Sequence, residues 1–381
     1  LTPTRITVHA FLKPHLAELS KHFDVTLAYN PDNDTYAPPL SLSIRQVHIG
    51  IKRKIELVAD LRALLELYAF FRREKFDLVI SLVPKAGLLG MVAAWLARVP
   101  RRVHLFQGEV WASRQGFMRL LLKTTDRIAA RAATQVLAVG KGEKAFLEAQ
   151  GIVSPARIQV LGSGSISGVD VGRFKPDPSA RNSVREKLDI PENAVVCLFL
   201  GRLYREKGIF ELIEAFKEAG SANENLWLLL VGPDEEKIVE RLGALLPEGL
   251  KQRLRIEGYT SEPEKIYAAA DFFCLPSYRE GFAVSILEAA AVGVPAIGSR
   301  IYGIADGIVE EETGLLVPPQ NAQELAHAIT RLTRDNVLRE RMSKAGRTRI
   351  QNEFEQHQVV SRYVDCFRSL FDSEKRAGAS D

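Results

Sequence analysis

Short β-branched apolar runs alternate with longer amphipathic stretches along most of the chain, and the alternation occurs twice. In the first half, runs at 25–28, 78–82, 103–106, 135–139 and 158–161 are separated by helical patterns such as 55–71, 86–97 and 117–132. In the second half, runs at 195–200, 226–231, 254–256, 272–275 and 296–298 alternate with helical patterns at 209–219, 235–246, 262–269, 284–292 and 322–332. Strand-length runs joined by helix-length crossovers predict βαβ units, parallel sheets and an α/β fold. Between the two series, 162–178 carries glycines at 162, 164, 168 and 172 and prolines at 176 and 178 without any period. Such a stretch predicts a hinge, pivoting at Gly168-Val169-Asp170. The region 336–371 reads as helical, with apolar spacing at Val359, Tyr363, Phe367 and Leu370. The expected division is 1–165, 166–355 and 356–381, the last a helix returning to the first domain and ending in a polar tail. The run at 5–10 is read as a short first strand, part of which precedes Leu1, followed by a helix-like 11–19.

Composition removes several function classes. With 46% hydrophobic and 26% charged residues the chain can build two soluble cores. Its longest apolar run, 87–96, is about half the ~18 residues a membrane span needs. No secretory leader is read at the start. The three cysteines show no paired spacing and the seven histidines no ligand pair on a helix face, so neither a disulfide framework nor a metal site is expected. A reducing, cytoplasmic location is expected from the cysteine usage. Charge is split: 1–165 carries 23 Lys and Arg against 13 Asp and Glu, a net +10, and 166–381 carries 28 against 34, a net −6. The first half is thus expected to meet something anionic. Arg119, Lys123, Arg127 and Arg131 recur at four-residue steps on one helical pattern, and Lys52-Arg53-Lys54 and Arg72-Arg73 flank another, which suits an anionic membrane surface. A solvated helix face accounts for the same pattern.

Two motifs carry chemistry. Gly201-Arg202-Leu203-Tyr204-Arg205-Glu206-Lys207-Gly208 follows an apolar strand and opens a helix. Ligands bind at such carboxyl ends of strands, and two cations beside a helix N-terminus can bracket a diphosphate. The second is Tyr278-Arg279-Glu280-Gly281-Phe282-Ala283-Val284-Ser285-Ile286-Leu287-Glu288-Ala289, with Glu280 in a loop and Glu288 on the helix that the loop opens. Glu280 can reach sugar hydroxyls and Glu288 can accept hydrogen bonds from a ribose, while a solvated glutamate pair accounts for the same spacing. Asp32-Asn33-Asp34 spells the Asp-x-Asp of metal-dependent transferases, but its polar setting reads as a surface turn.

The order, spacing and flanking strands of the two motifs resemble glycosyltransferase family four, of the GT-B fold. Gly293-Val294-Pro295 and Glu312-Thr313-Gly314-Leu315-Leu316-Val317 resemble its downstream signatures. Pro84-Lys85-Ala86-Gly87-Leu88-Leu89-Gly90 and 162–170 look like members that extend lipid-linked bacterial surface glycans. The resemblance implies two Rossmann-like domains facing an inter-domain cleft, the first binding the acceptor and the second the nucleotide sugar. It implies a retaining transfer from a UDP-sugar to a saccharide or polyprenyl-diphosphate-linked acceptor, with no cofactor and no metal. Arg202 and Lys207 would bind the donor diphosphate and Glu280 would face the donor sugar. Glu288 would bind ribose, the backbone from Gly281 through Phe282 to Ala283 would lie against sugar and phosphate, and Gly201 and Tyr259 would border the nucleotide. Gln107 stands before Gly108 where many relatives have histidine, with His104 three residues earlier, and Ala283 stands where many have glycine. Another GT-B activity, such as a sugar-nucleotide 2-epimerase, and a non-enzymatic nucleic-acid binder are the alternatives. The nucleic-acid reading leaves the Arg202/Lys207 and Glu280/Glu288 sets without a role.

Overall fold

The computed structural model describes residues 1–2, 4–31, 40–52 and 55–377. Two compact units result: residues 1–168 together with 356–381, and residues 169–355. Asp32-Asn33-Asp34 and Arg53-Lys54 lie outside the described residues.

In the first unit, β1 (Thr26–Tyr29) pairs in parallel with β2 (Arg45–His48). A second parallel sheet has the order β3 (Leu78–Leu82), β4 (Arg101–Phe106), β5 (Gln135–Ala138), β6 (Ile158–Val160). Residues 1 and 2 join the two sheets: the Leu1 amine donates to Ile80 O at 2.7 Å, Leu82 N–H donates to Leu1 O, and Thr2 N–H donates to Ala28 O. The run 5–10 is not a strand. Arg5–Thr7 is a helical turn capped by the Thr4 hydroxyl, and helix continues through Val8–Leu12 and Lys13–Leu19. Val8, Leu12, Leu16 and Leu19 are buried at steps of four, four and three, a helical period that outweighs the β-branched run. β2 lay unread because its residues, Arg45-Gln46-Val47-His48, are polar at an edge.

The second unit carries one six-stranded parallel sheet. Its strands are β7 (Val195–Leu200), β8 (Leu226–Val231), β9 (Leu254–Glu257), β10 (Phe272–Leu275), β11 (Ala296–Ser299) and β12 (Gly314–Val317), in the spatial order β12-β11-β10-β7-β8-β9. β7, β8 and β10 are almost wholly buried, which is why they read as continuous apolar runs. β7 and β10 are neighbours, and the chain runs outward from them to opposite edges of the sheet. A switch of that kind leaves the loops after the two strands splayed apart and open to a ligand.

Candidate active site

The loop after β7 and the loop after β10 carry the two sequence motifs, and the sheet order brings them side by side. Their contact is close enough to select residues. Gly208 has φ of 72°, and a Cβ there would sit 2.2 Å from Pro276 O, so only glycine fits. The Tyr278 amide donates to Glu206 O at 2.8 Å and its hydroxyl to Glu211 at 2.6 Å. Arg279 pairs with Glu206 at 3.4 Å. Across this junction, Lys207 Nζ meets Glu280 Oε1 at 2.5 Å, with both side chains only 15% exposed. Behind Glu280 lies Gly303, whose added Cβ would fall 2.1 Å from Glu280 O. The helix Ile209–Ser221, capped by Gly208, starts two residues after Lys207, so its N-terminal amides add positive potential to the same spot.

Arg202 leaves the same loop but is more open. Its guanidinium pairs with Glu235 at 2.9 Å and lies 4.8 Å over the Tyr204 ring. Each of the two cations expected to meet phosphate therefore holds a carboxylate instead. Gly201 follows β7 directly, its N–H spent on Val231 O.

Glu288 is on the helix Val284–Val292, apart from the Lys207–Glu280 pair. It accepts a hydrogen bond from the Tyr267 hydroxyl at 3.2 Å. Burial is the main cause raising its carboxyl to about 7, against a lowering by the Tyr267 bond and by Arg173. Tyr267 is fully buried, and burial beside Glu288 pushes its phenol up. Arg173, also near, pairs with Glu264 at 2.8 Å. Tyr267 and Arg173 were absent from the sequence reading; an apolar-faced helix and a loop arginine gave no signal. The backbone from Gly281 to Ala283 is partly engaged within the unit. Ala283 N–H is spent on Gly303 O at 2.9 Å and the Ala283 side chain is buried, so this amide is not offered to a ligand. Phe282 packs on the core with its ring 5.9 Å from Phe354. Tyr259, after β9, is 77% exposed.

In the first unit the loop after β4 is built around buried acids. Gly108 N–H and Val139 N–H both donate to Glu143, at 2.5 and 2.8 Å. Burial, then the charge of neighbouring Glu109, holds the Glu143 carboxyl well above its usual range. Trp111 donates to buried Asp126 at 2.7 Å. His104 takes no part in this loop. It is fully buried against Ser81 Oγ at 2.9 Å, and burial lowers its pKa to about 4. The helix Gly116–Ala132 does not display the expected cationic stripe as one solvated face. Arg119 and Lys123 donate to Gln150 and lie over the Trp111 ring, and Arg127 donates to Gly151 O. Among the described residues no group of three or more His, Cys, Asp or Glu could hold a metal ion.

Two parallel-sheet units, one with paired cations and carboxylates at its switch point, are the architecture of a GT-B glycosyltransferase. Residues 180–349 match the family described as glycosyl transferases group 1, and residues 14–164 match the glycosyl transferase 4-like domain. The chain is 32% identical to the capsular polysaccharide biosynthesis glycosyltransferase CapM of Staphylococcus aureus, over 85% of this chain and 84% of that protein. It is 31% identical to a UDP-Gal:α-D-GlcNAc-diphosphoundecaprenol α-1,3-galactosyltransferase of Escherichia coli, over 84% and 81%. The Anabaena protein HepE, solved with UDP, superposes with a TM-score of 0.73 at 20% identity, over 86% of each chain. The chain belongs to the group 1 glycosyltransferases, and it is a glycosyltransferase of the GT-B fold.

Proposed function

We propose that this enzyme transfers a sugar, with retention, from a UDP-sugar bound by unit 169–355 to a polyprenyl-diphosphate-linked saccharide held by unit 1–168, as a step of cell-surface glycan synthesis. The observation that carries the reading is the Lys207–Glu280 pair across the loops after β7 and β10. As the glycosidic bond to the donor phosphate breaks, negative charge grows on the leaving oxygens. Lys207 and Arg202 then exchange Glu280 and Glu235 for phosphate, which stabilises the transition state more than the ground state. Glu280, released from Lys207, accepts hydrogen bonds from the donor sugar. Glu288 accepts from the ribose hydroxyls. The acceptor hydroxyl gives its proton to the departing phosphate, so no metal or side-chain base is required.

A lipid-linked acceptor fits the E. coli relative, whose name specifies a diphosphoundecaprenol-linked sugar. It also fits the basic first half of this chain, net +10 over 1–165. Work would then be done at an anionic membrane surface, the inner face of the cytoplasmic membrane. Among the described residues no helix is long and apolar enough to cross a membrane. The test is a panel of labelled UDP-sugars offered with a short-prenyl diphosphate saccharide, the product anomer being read by NMR. Transfer with retained configuration is expected. Inverted product refutes the retaining step, and release of a free epimerised sugar without transfer refutes the reading.

A further inference from the structure

The first unit exposes apolar side chains in rows, on helices whose other faces already supply the core. Helix Leu57–Glu74 buries Ala63, Leu67, Phe70 and Phe71. Its outer face carries Leu57, Val58, Leu61 and Leu65, which are 82%, 85%, 58% and 59% exposed. Leu57, Leu61, Leu65 and Tyr68 follow one another at helical spacing, so they form a line rather than scattered points. Helix Gly116–Ala132 repeats the pattern: Asp126, Ala129 and Ala130 face inward, while Phe117, Leu120, Leu121 and Ile128 face out, Phe117 at 76%. Helix Pro84–Leu96 packs against both and ends on exposed Trp95 and Leu96. Isolated exposed apolar residues are ordinary on a soluble protein, whereas adjoining rows of them mark an interaction surface.

Charge indicates the partner. The sole acid of helix Gly116–Ala132, Asp126, is buried, the exposed Glu66 of helix Leu57–Glu74 is neutralised by Arg62 at 3.0 Å, and Arg114, Arg131 and Arg98 are exposed around the patch. A second copy meeting this face about a two-fold axis would set these cations against one another. A bilayer with anionic headgroups takes both components, phosphates meeting the arginines and the acyl boundary meeting the apolar rows. Resting on the lipid-linked acceptor reading, we propose that the outer faces of helices Leu57–Glu74 and Gly116–Ala132 insert into an anionic lipid surface. Docking is then held by apolar burial and only oriented by charge. Arg119, Lys123 and Arg127 belong to the inner packing around Gln150 and Trp111 rather than to the membrane contact.

The experiment is flotation of the full chain with phosphatidylglycerol/phosphatidylcholine vesicles at low and high salt. Screening shortens to ~3 Å at 1 M salt, which removes headgroup attraction but leaves apolar insertion in place. Wild type should stay bound at high salt. The triple variant Leu57→Ser/Leu61→Ser/Leu65→Ser and the double variant Phe117→Ser/Leu121→Ser should each lower the partition coefficient by about tenfold or more. These side chains are solvent-exposed, so thermal melts of the variants should match wild type, and a melt that collapses is replaced by single substitutions at Leu61 and Phe117. Complete release of wild type by salt, or variants that float like wild type, overturns the proposal. So does a wild-type dimer that the variants convert to monomer, which would assign the face to a second copy. Transfer to a short-prenyl acceptor without vesicles is measured in parallel. Loss of that transfer with flotation intact refutes the acceptor reading and not the anchor, and the reverse result refutes the anchor alone.

Discussion

Replacing Glu288 with glutamine should stabilise the protein while weakening its hold on the donor. Burial raises this carboxyl from 4.5 to about 7. The unfolded chain loses the proton first as pH rises, so between those two values the unfolded state binds fewer protons and wild-type stability falls. At 1.36 kcal/mol per pKa unit, the deficit is about 1 kcal/mol near pH 5 and about 3 kcal/mol near pH 8. Glutamine does not titrate. The stability of Glu288→Gln relative to wild type should therefore improve by about 2–3 kcal/mol between those conditions, read from urea unfolding at both. Hydrogen bonds to a charged acceptor contribute ~1.5–3 kcal/mol, so the same variant should bind UDP ~10- to 100-fold more weakly in calorimetry. Wild-type UDP affinity should itself drop as pH falls below about 7, because ribose hydroxyls donate to the ionised form. A stability difference that does not change with pH would refute the burial argument. Unchanged UDP affinity would refute the ribose role.

Other outcomes follow from the same geometry. Lys207→Ala and Arg202→Ala should each lower turnover by ~2 orders of magnitude or more in folded protein, measured at saturating donor. The loss should be steeper for Lys207, whose side chain is 15% exposed against 45% for Arg202. Gly303→Ala should displace the Glu280 backbone, since its Cβ would lie 2.1 Å from Glu280 O. Activity should fall further than the melting temperature suggests, and a near-normal kcat would show that the Glu280 position is not critical. Transfer should survive EDTA, and full loss rescued by Mn²⁺ would show that the reaction needs a metal.

Much of this architecture was legible because parallel strands buried on both faces announce themselves as apolar runs. β7, β8 and β10 are of this kind. The exceptions have physical causes. β2 is a polar edge strand, and β12 was noticed as a motif without being read as a strand. Residues 5–10 offered β-branched side chains, but burial at helical steps decided the matter. At the site, position at the ends of strands drew attention to Arg202, Lys207, Glu280 and Glu288, and the family resemblance supplied the roles proposed for them. Position could not say that Lys207 would meet Glu280, because that depends on β7 and β10 being neighbours although 73 residues separate the pair. Nor could it find Tyr267, whose partner lies 21 residues away on another helix. The cationic steps on Gly116–Ala132 are divided for a related reason. Sequence gives the face of a helix but not what packs on it, and here Gln150 and Trp111 take the arginine and lysine side chains.

The most direct test of the central claim is calorimetric titration of UDP and UDP-sugars into the wild-type chain and into Lys207→Ala/Arg202→Ala. One nucleotide per chain should bind to wild type, and at ~100 times its dissociation constant it should add ~2.7 kcal/mol of stability. The double variant should stay folded and show little or no binding. Wild-type protein that binds no nucleotide, or a double variant that binds UDP as tightly as wild type, would contradict the assignment of the donor site to the loops after β7 and β10.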